Sequence, residues 1–442
     1  MRKALSSSLV SLLLLSVPAL ALPVPALAGD APSQPFPQHV RYAAGTLRPS
    51  HRTQAQQDDD VRAAYARWKA SYLAQAGTEG DGHPRYRVKL EVAAGAATVS
   101  EGQGYGMMIV AYMAGHDGDA RTVFDGLWEF FNDHRSTIDS RLMDWNVPAD
   151  EASQGGDDSA FDGDCDIAFA LLLAERQWGN GGRVDYGAQA AGVIAGILAS
   201  TIGPQSRLPM LGDWVDPGGA VHNQYTPRSS DFIPDHFRAF RRATGDPAWD
   251  AVVAASQQVI ASLHEGYSPA TGLLPDFIVP ASAVDATPKP APAGFLEGAN
   301  DGKYYYNAGR DPWRLATDAL VHGDPASRTA ALAMASWARS STGAVVADLA
   351  AGYELNGTPL AGSDYFSTFF VAPFGVAAML DPGGQTWLNA VYDAVRGEEQ
   401  GYFEDTVTLL CLLVMTGNYW DPILIFADGF ESGDTTRWSG QG

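Results

Sequence analysis

The feature that most constrains the fold is the recurrence of helix-length segments along almost the whole chain. The first, DDDVRAAYARWKASYLAQAG from Asp58, begins with an acidic turn, ends at a glycine and places Val61, Tyr65 and Trp68 on one face. Strand-like alternation is scarce, and RYRVKLEV and AVVADL are its two candidates. Further helices are predicted over 104–116, 121–133, 165–178, 186–201, 232–244, 247–264, 309–321, 326–339, 364–380, 385–396 and 403–416, which makes about twelve.

About twelve helices with few strands predict an all-α architecture. A closed ring of helical hairpins and an open solenoid are both compatible with this pattern, and no internal sequence repeat distinguishes them. One segment interrupts the helical rhythm. Residues 276–294 contain PASAVDATPKPAPAG, which is too rich in proline for a helix. We predict a long loop there, and long loops in compact domains often carry function.

The two ends of the chain differ from the rest. Arg2 and Lys3 precede an apolar stretch over 9–22 and the small-x-small motif ending at Ala28, which is typical of a secretory signal peptide over 1–28. We therefore predict an exported protein cleaved near Ala28. Residues 29–57, rich in Pro, Gln and Ser, predict a flexible lead-in, 58–420 the main catalytic domain, and 421–442 a short tail.

The net charge limits which classes of ligand the protein can bind, and the cysteine content limits its possible disulfides. The net charge of −22 would repel nucleic acid and would favour a cationic ligand, although acidity also serves solubility. No apolar run after residue 28 is long enough to span a membrane. Cys165 and Cys411 lie in apolar segments, so we predict two buried thiols, with a disulfide as the alternative. We expect a monomer that needs no metal and no organic cofactor.

Two acidic motifs fall at predicted helix starts. VSEGQGYGMM sets Glu101 among glycines, which would let it approach a ligand closely, although an acid is also favoured at any helix start. In FDGDCDIAFALLLAERQW, Asp162 begins an alternating acidic run. This run lacks the glycine and glutamate that a calcium loop needs at its sixth and twelfth positions. We therefore predict an acidic helix start that directs carboxylates into a cleft.

A third motif, FLEGANDGKYYYNAGRDPWR, follows the proline-rich segment directly. It groups Glu297 and Asp301 with three tyrosines and Arg310. Cleavage of a glycosidic bond needs two carboxyl groups, one protonated and one ionised. Aromatic rings stack on sugar rings, and the chain has eleven tryptophans, although tryptophan also fills protein cores.

The segments SEGQGYGM, DGDCDIAFALLLAERQW and YYNAGRDPWR, in this order, resemble glycoside hydrolase family 8, and the resemblance covers about residues 58–418. That family contains bacterial endoglucanases, chitosanases, lichenases and xylanases. The resemblance implies an (α/α)6 barrel and inversion at the anomeric carbon. It also implies that Glu101 is the general acid and that Asp162 contacts the sugar in the central subsite.

The same resemblance implies several substrate contacts. Asp231 stands where endoglucanase relatives often have tyrosine, and it would add negative charge near the cleft. The other candidates for substrate contacts are Trp145, Trp214, Tyr306, Asn307, Arg310 and Tyr365.

One position departs from the family pattern. Many members have an aspartate as general base where this chain has Asn307, and an amide cannot take a proton from water. A subgroup with asparagine there supplies a glutamate from an inserted loop just upstream. We therefore predict Glu297 as the base, with Asp301 as the alternative.

The sequence thus predicts a secreted, inverting endo-hydrolase of β-1,4 linkages in a glucan-type polysaccharide. The acidic charge and Asp231 favour chitosan slightly, because its amines are cationic, with cellulose or mixed-linkage β-glucan close behind and xylan further off. A catalytically inactive polysaccharide-binding protein is the main alternative. A polysaccharide lyase is less compatible with the charge, because lyases act on anionic uronates.

Overall fold

A computed structural model describes residues 31–424 except Ala94 and 153–156, so the predicted signal peptide and most of the predicted tail lie outside it. No helix in these described ranges has the length and apolar character needed to cross a membrane. The helices are α1 (Gln54–Tyr72), α2 (Ser100–Tyr112), α3 (Ala120–Asp133), α4 (Phe161–Trp178), α5 (Tyr186–Ser200), α6 (Pro234–Thr244), α7 (Ala248–Gly266), α8 (Asp311–His322), α9 (Pro325–Ser341), α10 (Thr368–Ala378), α11 (Gln385–Val395) and α12 (Tyr402–Met415).

The even-numbered helices form a closed inner ring. Each packs against the next even-numbered helix, and α12 returns to pack against α2. Each odd-numbered helix packs outside, α1 against α12 and the others against the even-numbered helix that precedes them. This closure makes the fold an (α/α)6 barrel, as the resemblance implies, and it excludes the open solenoid.

Inner and outer helices bury different fractions of their surface. All eleven residues of α10 are buried, and in α4 every residue is buried except Glu175 and Arg176. The outer helix α7 instead buries a single face through residues such as Trp249, Val253 and Ile260. A helix surrounded by neighbours must be apolar all round, whereas an outer helix needs only one apolar stripe.

The glycines of VSEGQGYGMM serve this inner packing. A Cβ atom at Gly104 would lie 2.8 Å from the Asp166 Cβ of α4. A Cβ atom at Gly102 would collide with the Tyr402 hydroxyl, and one at Gly106 with Val88. The glycines therefore let α2 pack closely against its neighbours, which corrects the expectation that they serve the approach of Glu101 to a ligand.

Six short strands form three antiparallel pairs within the described residues. The pairs are β1 (Leu73–Thr78) with β2 (Pro84–Val88), β3 (Thr98–Val99) with β4 (Asn146–Val147), and β5 (Ile278–Ser282) with β6 (Asp285–Pro290). The strand predicted in RYRVKLEV is confirmed as β2. The one predicted in AVVADL is wrong, because Val346–Asp348 is a turn of 3₁₀ helix.

Two predicted segment boundaries are also corrected. The first helix starts at Gln54 and stops at Tyr72, because residues 73–78 pair as β1 instead of continuing it. The predicted loop over 276–294 contains the β5–β6 hairpin, so the irregular segment is the shorter stretch between Pro290 and α8. Proline is compatible with an edge strand that leaves its nitrogen unpaired.

The segment predicted as a flexible lead-in instead crosses the ends of the inner helices. Phe36 is buried, and backbone N–H groups between residues 33 and 47 donate hydrogen bonds to carbonyl groups at or just beyond the C-terminal ends of inner helices. These carbonyls belong to Ala114, Gln177, Leu320, Met379 and Gly417. The segment thus caps carbonyl groups that the helix ends leave free and covers one end of the ring.

Candidate active site

The predicted site residues lie at the other end of the ring, where the inner helices begin. Glu101 and Asp162 are each the second residue of an inner helix, α2 and α4. Arg310 directly precedes α8, and Tyr365 lies three residues before α10. Inner helices that begin at the same end bring their N-terminal dipoles together, which favours carboxylates there.

Glu101 is held through one of its two carboxyl oxygens. The Tyr105 hydroxyl donates to Oε1 at 3.0 Å, and the Arg310 guanidinium forms an ion pair with the same oxygen. Burial raises the pKa of Glu101, and the Asp162 charge adds to this, against the opposing effect of Arg310. Since both of these described donors meet at Oε1, the proton belongs on Oε2, which suits a general acid.

Asp162 has the opposite electrostatic balance. Its burial alone would raise its pKa, but Arg228 and Arg310 hold the pKa below its usual range. Arg310 Nη1 lies 2.9 Å and Arg228 Nη1 lies 3.3 Å from Asp162 Oδ2. The two neighbouring carboxyl groups are thus driven towards different protonation states, a pattern found where one acts as an acid and the other as an anion.

Asn307 connects this cluster to Glu297. Arg310 Nη2 donates to Asn307 Oδ1 at 3.0 Å, and Asn307 Nδ2 donates to Glu297 Oε2 at 2.8 Å. An arginine can only donate, so the amide must turn its oxygen to Arg310 and its NH2 group to Glu297. Glu297 therefore accepts this hydrogen bond, and the structure brings the two predicted residues into direct contact.

Asp301, the alternative base, is buried inside the loop. Its carboxylate accepts backbone N–H groups from Leu296 at 2.8 Å, Glu297 at 3.2 Å and Gly298 at 2.8 Å. These bonds fix the turn that carries Glu297 and occupy the Asp301 carboxylate with three backbone donors.

Asp276 likewise accepts backbone N–H groups, here around Asn307, and the sequence analysis did not identify it. It accepts N–H groups of Tyr305 at 3.0 Å, Asn307 at 3.2 Å and Ala308 at 2.7 Å. Burial raises the pKa of Asp276 to about 7. No local pattern around LLPDF identifies this role, because its partners lie some thirty residues further along the chain.

The predicted aromatic residues lie on connections at the same end. Trp145 and Tyr365 are 45% and 44% exposed, which leaves their rings available to a sugar. The Tyr306 hydroxyl is 3.0 Å from that of Tyr365, and the Tyr306 ring stacks on Phe369. Trp214 is half-buried, on the loop between α5 and α6.

Asp231 is placed differently from the expectation. It is fully buried in a 3₁₀ turn before α6, and its nearest cation is Arg228, with Nη1 3.6 Å from Oδ1. Its side chain is therefore not exposed to a ligand, but it lies close enough to Asp162 and Arg310 for their charges to affect its pKa. Its contact with Arg228 arises because Asp231 and Arg228 are three residues apart on one turn.

Sequence reasoning also missed Arg228, Tyr105 and Arg314. Arg314 lies 2.7 Å from Asp166 Oδ2 and 3.4 Å from the Tyr105 hydroxyl, so it supports the residue that holds Glu101. Tyr105 follows Glu101 by four residues on one helix, and that spacing is a signal that would have identified it. Arg228 carries no comparable local signal.

One other group of side chains has the composition of a metal site. Ligand atoms of Asp235, His322 and Asp421 lie within 4.8 Å of one another. However, Arg242 lies 2.8 Å from Asp421 and 2.9 Å from His322 Nδ1, and His322 Nε2 lies 2.8 Å from Asp235. Because arginine only donates, His322 Nε2 carries the proton given to Asp235, so this group is a satisfied ion-pair network. Both cysteines are buried free thiols.

A closed double ring of helices with a carboxyl pair of divergent pKa and exposed aromatic rings at one end defines a polysaccharide-cleaving hydrolase. Comparison with known proteins agrees with this class. Residues 36–417 match the family described as glycosyl hydrolases family 8, and the chain belongs to that family. It is therefore a glycoside hydrolase.

The similar proteins span most of the chain. A beta-glucanase of Niallia circulans is 42% identical over 393 residues, 88% of this chain and 92% of that protein. An endoglucanase of Bacillus sp. (strain KSM-330) is 38% identical over 397 residues, 88% of this chain and 82% of that protein. The apo structure of a beta-1,3-1,4-glucanase from Paenibacillus sp. X4 has a TM-score of 0.83 at 42% identity and covers 88% of this chain and 100% of that one.

Proposed function

We propose that this protein is a secreted, monomeric, inverting endo-glucanase that cleaves β-1,4 linkages in mixed-linkage β-glucan. Glu101 is the general acid, Glu297 the general base, and Asp162 the carboxylate that binds the sugar whose bond breaks. No metal or organic cofactor takes part. The observation that carries the proposal is the hydrogen bond from Asn307 to Glu297 at 2.8 Å, which places a carboxylate beside the position where many family members have their aspartate base.

The reaction transfers two protons, one from the acid to the leaving oxygen and one from water to the base. Glu101 gives the proton on Oε2 to the glycosidic oxygen as the C1–O bond breaks. Glu297 takes a proton from a water molecule, whose oxygen forms the new bond to C1 from the opposite face of the sugar. The products are a free alcohol and a sugar of inverted configuration.

Inversion is proposed from the family resemblance. An inverting pair of carboxyl groups is typically about 6.5–9.5 Å apart, so that a water molecule fits between the base and the sugar. Here Glu101 and Glu297 are linked through two intervening side chains, the Arg310 guanidinium and the Asn307 amide. Asn307 thus acts as a support for the base.

The choice of β-glucan over chitosan rests on two considerations. The similar proteins are named as a beta-glucanase, an endoglucanase and a beta-1,3-1,4-glucanase. The expected attraction of a cationic chain to Asp231 also loses its basis, because Asp231 is buried beside Arg228. Mixed-linkage β-glucan is thus the first substrate to test, followed by cellulose and chitosan.

The test measures reducing-end release by wild type and Glu297→Gln on barley β-glucan, carboxymethyl cellulose and chitosan. We expect wild type to act fastest on β-glucan and to release α-configured ends, observed by proton NMR at early times. Glu297→Gln should lose roughly 10²–10⁴-fold in rate. In Glu297→Ala, added azide should restore bond cleavage and give an α-glycosyl azide, because a small anion can replace the activated water.

Several results would contradict the proposal. Equal activity of wild type and Glu297→Gln would remove Glu297 as the base. Fastest cleavage of chitosan would overturn the substrate assignment but not the mechanism. A wild-type protein that is retained by β-glucan without cleaving any polymer would be the polysaccharide-binding alternative.

A further inference from the structure

Arg228 contacts three carboxylates around the proposed site. Its guanidinium nitrogens lie 3.3 Å from Asp162, 3.6 Å from Asp231 and 3.5 Å from Glu297 Oε1. Only 12% of the Arg228 side chain is exposed. Arg228 thus links the sugar-binding carboxylate, on the barrel wall, to the proposed base, on the loop.

The backbone of Arg228 is fastened to the segment that leads into that loop. Arg228 forms an isolated bridge with Phe277, and its guanidinium lies over the Phe277 ring at 5.5 Å. The Phe277 N–H in turn donates to the carbonyl of Asp301, the residue whose carboxylate organises the turn around Glu297. Arg228 is therefore placed by the same contacts that place the base.

Asp231 is the unusual member of the group. It is fully buried, and neither of its carboxylate oxygens accepts a hydrogen bond from a described residue. A buried acid without hydrogen bonds is costly unless its charge is compensated or its proton is retained. Burial raises the pKa of Asp231 to about 7, against the opposing effect of Arg228. The chain maintains this unfavourable group directly behind the arginine.

We propose that Arg228 is the positioning residue for the base. It holds Oε1 of Glu297 at 3.5 Å while Asn307 holds Oε2 at 2.8 Å, so both oxygens of this carboxyl group are fixed in direction. Asp231 is a buried carboxyl partner of Arg228. This inference rests on the proposed function, because it assumes that Glu297 is the base.

The pH dependence of activity depends on the charged groups that face Glu297 and Asp231. Arg228 and Asp276 face Glu297, and the Asp301 carboxylate binds its backbone. The groups that face Asp231 are Arg228, Asp162, Arg310, Arg314 and Asp311. Only Arg228 faces both Glu297 and Asp231 at ion-pair distance among the described residues.

The experiment compares Arg228→Met, Arg228→Lys and Asp231→Asn with wild type in kcat and KM on β-glucan from pH 4 to 9. Loss of the positive charge beside Glu297 in Arg228→Met should move the acidic limb of kcat/KM up by about one pH unit or more. We expect kcat to fall roughly 10- to 100-fold, with a smaller change in KM. Arg228→Lys should restore part of both.

Asp231→Asn should leave the acidic limb near its wild-type position. The pKa of Asp231 is raised to about 7, so this carboxyl group is already protonated at the pH of that limb and the substitution removes little charge there. Arg228→Lys keeps the test valid if Arg228→Met fails to fold.

Arg85 offers a matched control. It also forms ion pairs with three carboxylates, Glu79, Asp133 and Glu151, and lies over a phenylalanine ring. Arg85→Met should lower Tm without moving the acidic limb. The inference is overturned if Arg228→Met changes only Tm, as Arg85→Met does, or, where Arg228→Met does not fold, if Arg228→Lys has the kcat and the pH profile of wild type. Full activity of Glu297→Gln, measured alongside, would instead identify a failure of the base assignment.

Discussion

The two carboxyl groups proposed to share the reaction are held in contrasting ways. Glu101 lies in the first turn of α2, and its partners Tyr105 and Arg310 belong to the inner ring or directly precede it. Glu297 lies in an irregular segment between β6 and α8, held by the bonds of Asp301 to the loop backbone and by Asn307. The acid is placed by core packing and the base by local hydrogen bonds.

This contrast separates two kinds of sensitivity. Substitutions around Glu101 disturb helix packing, so they should change stability together with activity. Substitutions around Glu297 disturb a loop that contributes little to the core, so they should change activity with a small effect on stability. The following predictions test that separation, from the largest expected effect to the smallest.

The largest effect should come from Glu101→Gln. This change removes the proton donor but keeps the shape, so hydrolysis of β-glucan should slow by about 10²–10⁴-fold. An aryl β-glycoside with a good leaving group needs little protonation, so its cleavage should decrease far less. Initial rates on both substrates provide the measurement. Equal losses on the two would mean that Glu101 does not act as the acid.

A smaller effect is expected from Asp301→Asn. An amide keeps one acceptor oxygen but cannot accept all three N–H groups of the turn, so Glu297 should lose its fixed direction. We expect kcat to decrease roughly 10- to 100-fold with little change in KM or Tm. Loss as complete as in Glu297→Gln, together with azide rescue of Asp301→Ala, would instead make Asp301 the base.

A pair of glycine substitutions tests the contrast in stability directly. Gly104→Ala would place a methyl group 2.8 Å from Asp166 Cβ, which should cost about 1–3 kcal/mol in the free energy of unfolding. Gly298→Ala, beside Glu297, meets no atom within 4 Å and should change stability by less than about 0.5 kcal/mol. Urea unfolding measures both. Similar losses would show that the loop is packed as tightly as the barrel.

The smallest expected effect is a decrease in stability as pH rises. The pKa values of Asp231 and Asp276 are raised to about 7 in the folded protein, from 3.8. Their stabilising contribution is therefore complete below about pH 4 and is lost as pH rises towards 7. The lowered pKa of His264 acts in the opposite direction.

Two buried acids against one histidine predict that Tm decreases by a few degrees between pH 5 and 8. Differential scanning calorimetry at several pH values measures this. Asp276→Asn should make the curve flatter, whereas a Tm that rises over the same range would contradict the assigned direction.

Much of the architecture was predictable because helix periodicity is a local property. All twelve predicted helices are present, with ends displaced by a few residues. The errors occur where residues outside a segment determine its conformation. Residues 73–78 pair with β2, and the proline-rich segment closes into a hairpin through backbone pairing that proline only partly prevents.

The site shows the same division. Glu101, Asp162 and Glu297 were identified from their acidic motifs and from the family resemblance. The positions of Asp231 and Arg228 were not predictable. Asp231 was expected near the cleft but is fully buried, and Arg228, which has no local sequence signal, contacts three carboxylates.

By itself, the sequence determined the helices and the acidic motifs, because each depends on residues close together in the chain. Tertiary structure decided the closure of the ring, the packing role of the glycines and the protonation preferences of the carboxyl groups. Arg310 contacts Glu101 across 209 residues and Asp162 across 148. Electrostatic interactions depend on distance in space and on burial, and neither can be read from distance along the chain.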